Sequence, residues 1–203
     1  MKIIGIGRNY SAHTKELNNP QPSEPIVFMK PDTALLKNNE AFYFPSFTEV
    51  IDHEIELVVK ISKEGKYIQE KFAHKYYDEI GIGIDFTARD LQQKAKEQGL
   101  PWTLAKGFNG SAPVSEFVSI KDFPDMKNIS FSLSINGELR QQGNSADMVF
   151  NIDYLIAYVS QFITLKKGDL IYTGTPKGVG AIAVGDVLEG FLENKKMLTC
   201  EIR

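Results

Sequence analysis

The feature of this sequence that most constrains its fold is a succession of short runs in which apolar and polar residues alternate. Glu54–Ile61 alternates strictly, and Asn128–Ile135 does so through Ile129, Phe131, Leu133 and Ile135. A period of two puts successive side chains on opposite faces of an extended chain, which is the pattern of a strand. Asn136-Gly137 follows the second run, a dipeptide suited to a tight hairpin, so Glu138–Gln142 is its expected partner strand. Lys2–Ile6, Ile26–Lys30, Ala41–Pro45, Glu79–Asp85 and Asp169–Tyr172 read as further strands, and Asp186–Glu193 with Met197–Ile202 as a hairpin around Asn194-Lys195. Helical spacing is confined to Arg8–Leu17, which is a turn or short helix, Phe72–Tyr77, Ala88–Gln98 and Ile152–Phe162. Gly99 and Pro101 end the third of these, and Thr87 and Asp90 are spaced as its capping box. Asn18–Pro25, with three prolines, is a loop. Strands outnumber helices, so the fold class is α+β, mainly β.

The chain has 203 residues, with no repeat of about 20–50 residues, so residues 1–203 are expected to form one domain with a sizeable core. Lys and Arg number 23 against 26 Asp and Glu, and the lysines are scattered along the chain. A nucleic-acid partner is therefore not expected. The single cysteine, Cys200, excludes an intrachain disulfide. The apolar start is shorter than the core of a signal peptide, about 7–15 residues, and no run approaches about 18 apolar residues. The expectation is a cytoplasmic protein without a membrane partner.

Several residues can carry chemistry. On an extended Glu54–Ile61, Glu54 and Glu56 lie side by side on one face. A half-buried strand with a wet face accounts for this, and so does a hard-cation site, because clustered carboxylates repel unless a proton or divalent ion compensates them. In Ile80-Gly81-Ile82-Gly83-Ile84-Asp85 the isoleucines share one face, and Gly81, Gly83 and Asp85 share the other. Glycine is tolerated in a strand where a backbone or ligand approaches closely, so Asp85 is either a third ligand or an ordinary strand-end Asp. Oxygen-only ligation suits Mg²⁺ or Mn²⁺, with Ca²⁺ also admissible.

His13 and Glu16 are spaced i, i+3, close enough on a helical turn for the carboxylate to orient the imidazole as a general base; a surface pair is the plainer reading. Arg89 and Gln92 have the same spacing on the helix after Asp85, as either site residues or a salt-bridged surface Arg. Lys106 stands among small and apolar residues, which fits contact with an anion as well as a solvated loop. Trp102 is either pocket wall or core. Gly174-Thr175-Pro176-Lys177-Gly178-Val179-Gly180 lacks the order of a phosphate-binding loop.

Five segments in series resemble the fumarylacetoacetate hydrolase family, in its short, acylpyruvase-like branch. They are Gly7-Arg8-Asn9-Tyr10 with His13 and Glu16, His53-Glu54-Ile55-Glu56-Leu57, Asp85-Phe86-Thr87-Ala88-Arg89-Asp90-Leu91-Gln92, Ala105-Lys106-Gly107-Phe108, and the stretch from Gly174 to Gly180. The resemblance implies a mixed β-sandwich roll like that family's C-terminal domain, usually a homodimer. It implies Mg²⁺ or Mn²⁺ held by Glu54, Glu56 and Asp85, a catalytic set of His13, Glu16 and Lys106, and a substrate site lined by Arg8, Tyr10, Arg89, Gln92 and Thr175. The implied substrate is a small 2-oxo acid.

On this reading the chain hydrolyses the C–C bond of acylpyruvates through a metal-bound pyruvate enolate, with His13 and Glu16 activating water and Lys106 stabilising the developing oxyanion. Oxaloacetate decarboxylation reaches the same enolate, and isomerisation or hydration of unsaturated dicarboxylic 2-oxo acids is a further alternative. A non-catalytic β-domain that binds a structural cation is the alternative of a different class. Asn18–Pro25, just after Glu16, is a candidate lid or a plain connector.

Overall fold

A computed structural model describes residues 1–11 and 21–203. Its principal elements in chain order are β1 (Ile3–Gly7), β2 (Ile26–Lys30), β3 (Ile55–Ile61), β4 (Tyr77–Ile84), α1 (Arg89–Gln98), α2 (Thr103–Lys106), β5 (Ser130–Ile135), β6 (Glu138–Asn144), α3 (Ile152–Phe162), β7 (Leu170–Tyr172), β8 (Val187–Leu192) and β9 (Lys195–Glu201). This is the α+β, mainly β architecture that the alternation predicts. None of the described helices is long and apolar enough to cross a membrane.

One sheet runs β2-β1-β7-β3-β4, with the short strand Val118–Ser119 at its far edge. β1 and β7 are parallel, and the other pairs are antiparallel. A second, antiparallel sheet runs β6-β5-β8-β9. The two sheets press together where β8 has a glycine. A Cβ on Gly190 would lie 2.7 Å from Ile82 Cδ1 and 3.4 Å from Ile55 Cδ1, so a larger residue would force the layers apart. Ile55, Leu57, Ile82, Phe131, Leu133, Leu188 and Leu198 fill the core at this junction.

β3 lies inside its sheet, between β7 and β4, and both its faces are covered. Ile55, Leu57 and Val59 enter the main core, while Val58 joins Ile3, Leu170 and Tyr172 in a smaller cluster on the reverse face. The wet-face explanation of Glu54 and Glu56 therefore fails, because both carboxylates are buried. The bare face of Gly81 and Gly83 is likewise filled from within. A Cβ on Gly83 would lie 2.6 Å from the Tyr172 ring, and one on Gly81 would lie 2.8 Å from Ser115 Oγ.

A three-stranded ribbon of Gly180–Ala181, Ile51–His53 and Thr87–Ala88 continues from the ends of β3 and β4 and leads directly into α1. Three local expectations need correction. Ala41–Pro45 forms only an isolated bridge, Phe42 with Ile202, at the residue that follows β9. The helix expected over Phe72–Tyr77 spans Glu70–Ala73, and Tyr77 already belongs to β4. Thr87 and Asp90 form no capping box: the N-cap of α1 is Ala88 without a side-chain cap, and Asp90 accepts from Thr48 Oγ1 and the backbone N–H of Glu49 and Leu91.

Candidate active site

The junction of β3, β4, α1 and α2 collects the acidic and basic side chains. Glu54 precedes β3, Glu56 is its second residue, and Asp85 follows β4; the Asp85 N–H donates to the Glu54 carbonyl at 2.8 Å, which fixes the two strand ends together. One carboxylate oxygen from each of Glu54, Glu56 and Asp85 lies within 4.8 Å of the others. α1 starts four residues after Asp85, so its first turn delivers Arg89 and Gln92 to the same place, and α2 ends on Lys106.

Lys106 is buried, and its ammonium donates to Glu54 Oε2 at 2.8 Å, Asp85 Oδ2 at 2.6 Å and Thr87 Oγ1 at 2.6 Å. Burial opposes its charge, but Asp85 and Glu54 outweigh that and hold its pKa above the ordinary lysine value. Arg89 is clamped through three nitrogens: Nε to Asp52 Oδ2 at 2.7 Å, Nη2 to Glu54 Oε1 at 2.6 Å and Nη1 to Gln92 Oε1 at 2.6 Å. Glu56 is held differently. Its Oε2 accepts from the Gly174 N–H at 2.7 Å, a backbone position with φ +103° and with no room for a side chain against Asn9. Burial, then Asp85 and Glu54, push the Glu56 carboxyl well above the usual carboxylate range. Burial and two neighbouring carboxylates thus disfavour the ionised form of Glu56 in particular.

These donors fit a hard divalent cation. All three are carboxylates, among the described residues no sulfur or imidazole joins the cluster, and Asp85 Oδ1 is buried with the Lys30 ammonium 2.7 Å away. Such oxygen donors are what Mg²⁺ and Mn²⁺ prefer. Arg8, Phe28, Trp102 and Thr175 line the adjoining cavity with the acidic and basic residues. The cavity is small, about 30 Å³, and the Lys106 ammonium stands between two of the carboxylates beside it.

Of the residues singled out from the sequence, Glu54, Glu56, Asp85, Lys106, Arg89, Gln92, Thr175 and Arg8 come together here. Trp102 is a wall of the cavity. Tyr10 is buried, edge-on to Phe131, and burial followed by Glu56 raises its pKa. His13 and Glu16 lie outside the described residues, as do positions 18–20 of the Asn18–Pro25 loop.

Three participants are not evident from the sequence. Lys30, at the end of β2, is fully buried and binds Asp85, Ser111 and the carbonyl of Lys106. Asp52 is the second anchor of Arg89. Gln141 donates to Thr175 Oγ1 at 2.9 Å and accepts from the Ile55 N–H at 3.0 Å. Only Lys30 leaves a trace in the sequence, as a charge closing an apolar strand before Pro31.

A family model for the fumarylacetoacetate (FAA) hydrolase C-terminal region matches residues 2–203. The chain belongs to this family. Mitochondrial oxaloacetate tautomerase FAHD1 of Mus musculus is 45% identical over 191 residues, covering 94% of this chain and 86% of the relative. Oxaloacetate tautomerase YcgM of Escherichia coli (strain K12) is 42% identical over 199 residues, covering 98% and 91%. Fumarylpyruvate hydrolase from Pseudomonas aeruginosa, solved in complex with Mn²⁺ and pyruvate, superimposes with a TM-score of 0.94 at 32% identity, covering 100% of this chain and 89% of that one. The mixed β roll expected from the sequence is thus the family's fold.

Proposed function

We propose that this chain is a divalent-metal-dependent enzyme that interconverts the enol and keto forms of oxaloacetate or a closely similar 2-oxo acid. The observation that carries this is the buried carboxylate triad with a protonated Lys106 set between two of its members. The choice of reaction is taken from the names of the mouse and E. coli relatives. Both relatives are named as enzymes, which argues against a purely structural cation-binding domain.

Glu54, Glu56 and Asp85 would hold Mg²⁺ or Mn²⁺, which when bound supplies Lewis-acid polarisation of the 2-oxo group. Lys106 offers a preorganised positive charge to the oxygen on which enolate charge develops, a contribution of about 3 kcal/mol for one such donor. Arg89, immobilised by Asp52, Glu54 and Gln92, presents a fixed cation to the substrate carboxylate without further ordering cost. Thr175, whose hydroxyl donates to the Ile55 carbonyl at 2.8 Å, forms part of the opposite wall. His13 and Glu16 are proposed as the acid–base pair. One proton leaves the enol O–H and one is added at the adjacent carbon, so no water is consumed. Entry of cation and substrate requires Lys106 to release carboxylate oxygens.

Hydrolysis of acylpyruvates is the second reading, favoured by the likeness to fumarylpyruvate hydrolase. It uses the same enolate-stabilising groups, with His13 activating water. Homodimerisation and a cytoplasmic location also belong to this proposal. The test is the decay of enol-oxaloacetate absorbance with Mg²⁺, Mn²⁺ or chelator, beside a panel of acylpyruvates. Metal-dependent ketonisation above the buffer rate supports the tautomerase. Turnover of acylpyruvates alone transfers the site to hydrolysis, and inactivity on both refutes the assignment.

A further inference from the structure

The half-buried side of the cavity carries two cations that the internal network does not use. Arg89 and Lys106 are compensated by Asp52, Glu54 and Asp85. Lys96 and Arg8 line the same cavity, and neither has a carboxylate partner among the described residues. Lys96 lies on α1, seven residues after Arg89 and four after Gln92, so all three project from one helix face. Its Nζ stands 5.9 Å from the centroid of the Trp102 ring, which lines the cavity beside it and keeps the stem out of bulk water.

Arg8 reaches the same place by a costly backbone route. It has φ +59°, a left-handed conformation that a non-glycine residue keeps only when its surroundings impose it. The next residue supplies that constraint. The fully buried Asn9 side chain donates to the carbonyls of Phe150 at 2.9 Å and Thr173 at 2.7 Å, and accepts from the Phe150 N–H at 2.8 Å. The end of β1 is thereby pinned with Arg8 facing the cavity. Burial, then Arg89 and Arg8, depress the Lys96 pKa, and the opposing pull of Glu54 does not outweigh them.

We propose that Lys96 and Arg8 are the receptor for the second carboxylate of a dicarboxylic 2-oxo acid, whose 2-oxo end lies at the triad. The inference rests on the function proposed above and deepens it, by making the site selective for dianions. A monocarboxylic 2-oxo acid leaves both cations uncompensated inside the cavity, so it is discriminated against by the missing partner.

The test compares the wild type with Lys96→Met and Lys96→Arg. Met keeps the stem and the helix propensity of a half-exposed site, and unchanged circular dichroism and melting verify the fold. For Lys96→Met, kcat/KM falls by about tenfold or more on oxaloacetate, the scale of one charge-assisted hydrogen bond, and changes by less than about twofold on its monoanionic 4-methyl ester; Lys96→Arg recovers most of the loss. Calorimetry on Mn²⁺-loaded protein gives a readout independent of turnover. L-malate, which carries the second carboxylate, loses about tenfold in affinity in Lys96→Met, whereas lactate binds as before. Equal losses on oxaloacetate and ester, or unchanged malate binding, overturn the proposal. A wild type that fails to ketonise oxaloacetate refutes the function alone, because the malate and lactate pair still decides the subsite.

Discussion

The buried ammonium of Lys30 stands 2.7 Å from Asp85 Oδ1, with neither side chain reached by solvent. Lys30 also donates to the carbonyl and hydroxyl oxygens of Ser111 at 2.8 and 3.0 Å and to the Lys106 carbonyl. One cation from the edge strand β2 thus anchors both Asp85 and the backbone of the lysine that faces it. Removing one partner of such a pair strands the other charge, which costs about 3–5 kcal/mol. Lys30→Met is expected to destabilise the protein by that amount in urea unfolding and to weaken Mn²⁺ binding; a change below about 1 kcal/mol would show that Asp85 does not depend on it.

The metal-free site carries a pH signature through Glu56. Its folded pKa is raised above 4.5 by burial, then by Asp85 and Glu54, so the folded state binds this proton more tightly than the unfolded chain. The associated stability is complete below pH 4.5 and is lost as pH rises through the folded pKa. Glu56→Gln removes the group, so the stability difference between variant and wild type should grow in the variant's favour from acidic to neutral pH in chelator. Added Mn²⁺ should reverse the order at neutral pH, because ligation requires the ionised carboxylate. Parallel pH profiles for the two proteins would contradict the assignment of the shifted group.

Gly83 lies on a face that looks bare in the sequence, yet the Tyr172 ring fills it, and the Tyr172 hydroxyl donates to the carbonyls of Ala112 and Pro113 at 3.2 and 3.1 Å. Gly83→Ala must displace that ring next to Glu56, its partner across the β3–β4 register. Overpacking of this kind costs about 1–3 kcal/mol, and thermal unfolding should register it together with reduced metal affinity. A fully stable variant would mean that Tyr172 has room to move.

What the sequence reveals follows from how local the cause is. Ile152–Phe162 is helical as its spacing predicts, with Asn151 accepting from the Tyr154 N–H as its cap, and Asn136 and Gly137 take the positive φ values of a tight turn. The acidic triad is legible because strand alternation and the Asp85 strand end place its members on nearby positions. Lys30 and Gln141 are not, because each acquires its role from groups more than fifty positions away that only sheet order brings near. The alternation of Glu54 and Glu56 could not distinguish a wet face from a buried one for the same reason: what covers β3 comes from β1, β7 and β8.

Cys200 is buried, and burial pushes its thiol up to about 12. The reactive thiolate is therefore scarce in the folded protein at pH 8. Iodoacetamide should label the native chain far more slowly than the urea-unfolded one. Because the folded pKa is the higher, the associated stability is intact below the unfolded value near 9 and is lost as pH rises toward 12. Cys200→Ala should remove that part of the alkaline decline. Rapid native labelling would show that the β9 edge opens.

Gln141 joins the hairpin β5–β6 to the candidate site through four hydrogen bonds. Its Oε1 accepts from the Ile55 N–H at 3.0 Å and meets His53 Nδ1 at 2.8 Å, while its Nε2 donates to Thr175 Oγ1 and to the Pro176 carbonyl at 2.9 and 3.0 Å. Since Oε1 can only accept, His53 Nδ1 must carry a proton, which fixes the tautomer of an imidazole whose pKa burial lowers. The amide therefore sets the direction of the Thr175 hydroxyl, which must donate to the Ile55 carbonyl because it already accepts from Gln141. Gln141→Ala leaves buried partners unsatisfied, at about 1–3 kcal/mol, and frees Thr175 to rotate. Gln141→Glu keeps the shape but replaces the donor with an acceptor, so it should impair turnover more than its loss of stability accounts for, measured as kcat at a temperature well below melting. If Gln141→Glu melts lower yet turns over normally, Thr175 orientation is irrelevant to the reaction and Gln141 serves the fold alone.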